Sequence, residues 1–275
     1  MSRPTAPPPP GGGASCWVDD APRPGWQNMA IDHALFELAE AEGRHLWRLY
    51  RWEPHCLSFG RHEPAARRYD RTRIADLGLD TVRRPTGGRA VWHARELTYA
   101  VAGPVAAWGS LREGYRRIHE WLARAVADLG AAPALAGDRT APGLGAGACF
   151  AAAVGGEVVI GGRKVVGSAQ RRGERALLQH GSMLLEDDQC VVRAVQTPSS
   201  GDADRDPAPG TSPPETTLTA VLGRPVSFAE AAAAVARTLQ AEGIPAAPAG
   251  IPNEVLRRAA RHYDSYRSAA WTWSR

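Results

Sequence analysis

Arg83-Arg84-Pro85-Thr86-Gly87-Gly88-Arg89-Ala90-Val91-Trp92-His93 sets two short runs on either side of a turn-forming Pro-Thr-Gly-Gly sequence. Thr81 to Arg84 and Ala90 to His93 read as strands joined by Pro85 to Gly88, with Leu97 to Val101 pairing next. Gly87 and Gly88 permit positive φ and let the backbone approach a ligand closely. An ordinary hairpin turn is the plainer account of the same pair.

Upstream, Met29, Ile31, Ala34, Leu35, Leu38 and Ala39 recur at helical spacing, which predicts an amphipathic helix from Asn28 to about Glu42. Leu46 to Trp52 and Cys56 to Gly60 follow as strands. Downstream, residues 109 to 129 carry Leu111, Tyr115, Ile118, Leu122 and Val126 on one helical face. A glycine- and alanine-rich loop, 143 to 148, then leads to Cys149. Glu157 to Ile160 and Arg163 to Val166 flank Gly161-Gly162, the two-residue turn of a tight hairpin, and Leu177 to Leu185 reads as another strand. Ser227-Phe228-Ala229-Glu230 is a capping box opening a helix to about Gln240, and Pro252 to about Tyr266 reads as a second helix. Residues 1 to 14 are an expected disordered Pro/Gly-rich tail. Residues 197 to 217, rich in proline, aspartate and serine, read as a linker between a main domain, 15 to 196, and a small helical C-terminal part, 218 to 275.

With 275 residues and 44% hydrophobic content the chain can bury a full core. No apolar run approaches the roughly 18 residues of a membrane span, and the first residues lack the apolar centre of a signal peptide, so a cytoplasmic protein without membrane contact is expected. The four cysteines, Cys16, Cys56, Cys149 and Cys190, are scattered without zinc-ligand or disulfide spacing, so no metal is expected. The net charge of +4 suits an acidic partner, yet the arginines are dispersed and no nucleic-acid motif accompanies them. Nucleic acid is therefore not an expected partner, whereas an acidic protein, or merely an arginine-rich surface, fits. Gly143 to Ala148 looks like a dinucleotide fingerprint but follows Pro142 instead of a strand, and Gly162 to Ser168 has its lysine misplaced for a phosphate loop.

Lys164 stands apart. Of 33 basic residues it is the one lysine, and the rest are arginine. A lysine offers a compact ammonium and a titratable proton, where guanidinium is planar, bulkier and permanently charged. Chance survival of one lysine is the plain alternative. Its surroundings, Gly161-Gly162-Arg163-Lys164-Val165-Val166-Gly167-Ser168-Ala169-Gln170, form a glycine-flanked strand fifteen residues after Cys149.

The 83–93 stretch, Cys149-Phe150, the lysine strand and Gln179-His180-Gly181-Ser182 together resemble the lipoate-protein ligase family, which includes biotin ligases and the octanoyltransferases of lipoate assembly. Asn28-Met29-Ala30-Ile31-Asp32 and Arg51-Trp52-Glu53-Pro54 extend the resemblance over roughly residues 17 to 195. It implies an α/β fold: a mixed, mostly antiparallel sheet flanked by helices, like the catalytic domain of biotin and lipoate ligases. The Cys-Phe pair is similar to the octanoyltransferase group that passes octanoate through a cysteine thioester. By that resemblance Cys149 is the nucleophile, Lys164 also binds the acyl carbonyl, and octanoate moves from acyl carrier protein to a lysine of lipoyl domains such as the glycine-cleavage H protein or 2-oxoacid dehydrogenase subunits. Thioester exchange proceeds at nearly constant free energy, so no cofactor is implied. A nearby ammonium favours the thiolate by lowering a cysteine from its usual value of about 8.5.

Arg84, Thr86, Gly87 and Gly88 are expected to line the mouth of an acyl pocket, with Gly167, Ser168, His180 and Gly181 from the later motifs. His93 and His180 are candidates for handling the proton of the acceptor amine. Two departures from the family pattern stand out: Ala94 where many relatives carry aspartate, and Ala100 in place of a common serine. Three alternatives stay open: an ATP- and Mg-dependent lipoate or biotin ligase with Cys149 a bystander, octanoyl amidotransfer between lipoyl domains, and a silent binding protein.

Overall fold

The computed structural model describes residues 14–137, 155–197, 214–247 and 250–274. The expected N-terminal tail, Cys149 with its glycine loop, and most of the linker lie outside the described residues. In chain order the elements are β1 (Ser15–Arg23), α1 (Gly25–Glu42), β2 (Leu46–Trp52), β3 (Cys56–Phe59), α2 (Ala65–Arg68), α3 (Arg71–Asp76), β4 (Asp80–Arg83), β5 (Val91–His93), β6 (Glu96–Pro104), α4 (Val105–Trp108) and α5 (Leu111–Asp128). Then come β7 (Ala134–Leu135), β8 (Val158–Ile160), β9 (Arg163–Lys164), β10 (Val166–Arg172), β11 (Ala176–Leu184) and α6 (Cys190–Ala194). The helices α7 (Leu218–Leu222), α8 (Phe228–Ala241), α9 (Asn253–Ala260), α10 (Tyr263–Arg267) and α11 (Ala269–Thr272) follow.

Side chains alternate across a strand, and β2 and β6 are buried on both faces. One face gives Leu46, Tyr50, Ala100 and Ala102 to α1, and the other gives Trp47, Leu49, Tyr99 and Val101 to α5 and α8. Helices on both sides of a five-stranded sheet, ordered β1-β2-β6-β11-β10, result. The β1/β2 pair is parallel, as the α1 crossover requires, and the other neighbours are antiparallel. This is the expected mixed α/β architecture. The C-terminal helices share these apolar layers: Val235 and Leu239 join one, and Val255, Ala259 and Tyr266 join the other.

Three local expectations change. The strands around Pro85 to Gly88 are not a hairpin, because β3 lies between them, parallel to β4 and antiparallel to β5, and the third strand, β6, belongs to the large sheet. The 85–88 segment therefore bridges over β3, and its Gly88, at φ 85°, brings its carbonyl against Gly60 so closely that a Cβ there would lie 1.8 Å from the oxygen. The first helix is not amphipathic: α9 and α10 cover its outer side, and even Asn28 and Asp32 are buried. The expected helix from Pro252 to Tyr266 divides into α9 and α10. No described helix is long and apolar enough to cross a membrane.

Candidate functional site

Register builds the site. In the β10/β11 ladder Gly167 faces Ser182, Ser168 faces Gly181 and Ala169 faces His180. Gly181 has no room for a side chain, since a Cβ would sit 2.3 Å from the Gly167 carbonyl oxygen. Beside this ladder opens a small pocket. Met29, Trp52 and Val91 give it apolar walls. Arg84, His93, Gly167, Ser168, His180 and Gly181, all singled out from sequence, line it as well. Thr86 stands one hydrogen bond away, 2.5 Å from His180 Nε2. Gly87 is tied in through its carbonyl, which accepts from Arg84 Nη2 at 3.1 Å.

Two buried carboxylates hold the histidines. Asp32 accepts from Arg48 Nη1 at 3.1 Å and from the Tyr50 hydroxyl at 2.7 Å, and its Oδ2 lies 3.0 Å from His180 Nδ1. A carboxylate only accepts, so His180 donates from Nδ1 and receives the Thr86 hydroxyl on Nε2. Burial pushes this imidazole below its usual range, against the opposing pull of Asp32. Glu96 Oε1 receives His93 Nδ1 at 2.7 Å and the Ser182 hydroxyl at 3.0 Å, and Thr98 donates to the same oxygen. His93 Nε2 meets Ser58 Oγ at 2.6 Å, while Arg84 Nη1 donates to that oxygen at 2.7 Å. Both ring nitrogens of both histidines are thus engaged. These bonds fix both rings in the pocket wall.

Lys164 lies off the pocket wall, 1% exposed, with Nζ 2.7 Å from Glu157 Oε1. Cys149 is outside the described residues, so the structure does not bear on its distance from Lys164.

A further polar chain backs the pocket. His119 Nδ1 lies 2.8 Å from the Tyr115 carbonyl oxygen and Nε2 lies 3.0 Å from Ser168 Oγ. Burial pushes the His119 imidazole down to about 3, so the ring is neutral, Nδ1 donates to the carbonyl, and Ser168 donates to Nε2. The Tyr99 hydroxyl then donates to Ser168 at 2.6 Å while receiving Gln179 Nε2 at 2.6 Å. His45, packed edge-on against Trp108, is likewise pushed down to about 4 by burial. In the unfolded chain both histidines titrate near 6.5. Between pH 6.5 and about 4 the unfolded state binds protons that the folded state refuses, so this stability is complete above 6.5 and drains away as pH falls. The thermal midpoint is expected to drop between pH 7 and 4 by the equivalent of a few kcal/mol in order of magnitude, and His119→Gln to flatten the drop. A midpoint that is independent of pH in this range would refute the neutral assignment.

Sequence reading missed Asp32, Glu96, Ser58, His119 and Glu157 as site-building residues. Asp32 lay within a quoted motif, and the three-residue spacing of His93 and Glu96 was an available signal. Glu157 sits in the predicted hairpin with Lys164, while Ser58 and His119 are joined to the site only by the fold. Among the described residues, His33, Glu37 and His262 bring potential metal-ligand atoms within 4.8 Å of one another. The two imidazoles stack at 4.1 Å with planes 13° apart, so their in-plane lone pairs run side by side instead of converging on an ion.

The family model of the lipoyl protein ligase A/B catalytic domain matches residues 24–240. The octanoyltransferase LipM of Symbiobacterium thermophilum is 40% identical over 237 residues, covering 81% of this chain and 85% of that protein. That of Exiguobacterium sibiricum is 34% identical over 264 residues, covering 90% and 94%. Among solved structures, the T. acidophilum protein Ta0514 with bound lipoic acid superposes with a TM-score of 0.78 at 19% identity, covering 95% of this chain and all of that one. A lipoate-protein ligase A bound with ATP gives 0.77 at 19% identity, covering 95% and 99%. These structural likenesses concern the fold.

Proposed function

The chain belongs to the lipoyl protein ligase A/B catalytic-domain family, and from that premise we propose that it is an octanoyltransferase of protein lipoylation. It moves an octanoyl group from acyl carrier protein, through a thioester on Cys149, to a lysine of lipoyl domains such as the glycine-cleavage H protein or 2-oxoacid dehydrogenase subunits. The observation that carries this reading is the 40% identity to an octanoyltransferase LipM over most of both chains.

The pocket supports it. Its apolar wall of Met29, Trp52 and Val91 suits a hydrocarbon tail, and burial contributes about 0.8 kcal/mol per methylene, roughly 5 kcal/mol for octanoyl. Arg84, Thr86, Gly87, Gly88, His93, Gly167, Ser168, His180 and Gly181 shape the acyl site. Lys164 supplies positive charge where thiolate and oxyanion develop. Exchange between thioesters needs no ATP, metal or other cofactor. The net charge of +4 suits two acidic protein partners met in the cytoplasm.

The test is incubation with octanoyl-acyl carrier protein in the absence of ATP, followed by intact mass. One added octanoyl group, released by hydroxylamine and transferred to a lipoyl domain, is the expected result. Failure to form the adduct, together with ATP-dependent acylation of the lipoyl domain from free octanoate, overturns the reading in favour of a ligase.

A further inference from the structure

We infer that Glu157, steadied by Tyr115, is a positioning residue that holds the Lys164 ammonium in place for acyl transfer; this rests on the octanoyltransferase reading above. The local sequence dictates the arrangement. Gly161 and Gly162, at φ 57° and 76°, make a two-residue turn that needs positive φ at both positions. That turn pairs Ile160 with Arg163 and Val159 with Lys164. Side chains alternate along a strand, so Glu157, two residues before Val159, falls on the same face as Lys164 in the diagonal position.

The contacts complete it. Lys164 Nζ meets Glu157 Oε1 at 2.7 Å, with the two side chains 2% and 1% exposed. Tyr115, reaching in from α5, donates its hydroxyl to the same oxygen at 3.0 Å. The backbone of Lys164 is clamped on its other edge too, donating to Pro214 O and receiving Thr216 N, each at 2.9 Å. Tyr115 continues through its carbonyl to His119 and Ser168 on the pocket wall.

Stability does not account for such a pair. Replacing a buried ion pair with apolar residues of similar volume is often neutral or stabilising, because desolvation of the two charges offsets their attraction. An ammonium buried this deeply without a counter-charge has nothing to replace its lost water and leaves its place. An adjacent carboxylate holds it there, as the aspartate of a Ser-His-Asp triad orients and stabilises the imidazolium. In the first half-reaction the Cys149 sulfur bonds to the acyl carbon, the donor's carbon–sulfur bond breaks, and the proton given up by Cys149 leaves with the donor thiol. The ammonium is neither formed nor consumed, so its value lies in being present and in place.

Glu157→Gln keeps the shape and removes the charge. Its limiting rate of adduct formation is expected to fall at least tenfold, with half-saturating donor changed by less than about threefold. Glu157→Asp should recover part of the loss, and Tyr115→Phe should cost a few-fold. A second readout needs no donor: alkylation of Cys149 by iodoacetamide as a function of pH, followed by peptide mapping with exposed Cys190 as internal reference. The midpoint is expected to move upward in Glu157→Gln, and in Tyr115→Phe to a lesser degree should the first variant not fold. A folded Glu157→Gln protein with wild-type acylation rate, or an alkylation midpoint that stays or moves down, overturns the inference. A wild-type protein that takes no octanoyl group at all tells instead against the transferase reading, and the alkylation midpoints still decide the role of Glu157.

Discussion

A chain carrying serine at position 149 is expected to form no octanoyl adduct and to transfer nothing to lipoyl domains, a loss of at least three to four orders of magnitude. Only the thiolate attacks a thioester efficiently, and cysteine reaches that form near neutral pH with modest help from a positive neighbour. A serine hydroxyl needs a general base within hydrogen-bond reach. The pocket's imidazoles already accept other hydroxyls, Ser58 on His93 and Thr86 on His180. His119, a third imidazole nearby, is pushed down to about 3 and already receives the Ser168 hydroxyl. The measurement is intact mass after incubation with octanoyl-acyl carrier protein, with circular dichroism to show an unchanged fold. A serine variant that acylates at even one-tenth of the wild-type rate would mean that one of these imidazoles leaves its present partner to act as the base.

Features written in a few consecutive residues are legible in the sequence. Gly161-Gly162 makes the predicted hairpin, and Ser227 caps the predicted helix by accepting from Glu230 N at 3.1 Å. Each depends on φ preferences or a single side chain next to its own backbone. The insertion of β3 between β4 and β5 is different, because it joins Cys56 to Asp80 and to His93 across long stretches of chain, and no local pattern distinguishes it from a hairpin. The same holds for α1, whose apolar spacing gave no sign that α9 and α10, more than two hundred residues away, would cover its outer side. At the site, His93 and His180 could be named from their motifs, while their partners Ser58 and Asp32 could not be paired with them.

Lys164→Arg is expected to lower the limiting rate of octanoyl-adduct formation by a hundredfold to a thousandfold, about 3 to 4 kcal/mol of transition-state stabilisation. The substitution keeps the positive charge, and 32 of the 33 basic positions in this chain already are arginine, so charge alone is cheaply supplied elsewhere. The site has no slack for it. Lys164 is 1% exposed and spans from β9 to a carboxylate 2.7 Å away. A planar guanidinium in that space must displace its neighbours, which costs typically about 1 to 3 kcal/mol in a packed interior. It will also engage Glu157 through two parallel hydrogen bonds, fixing its charge on the carboxylate instead of leaving donors for a developing oxyanion. The half-saturating donor concentration should change little, because the missing interaction belongs to the transition state. Lys164→Met, which fills similar volume without charge, provides the comparison: if lysine acts through its shape and placed charge, arginine and methionine fail to a similar degree. An arginine variant that acylates within threefold of wild type, while the methionine variant is inactive, would reduce Lys164 to an interchangeable cation.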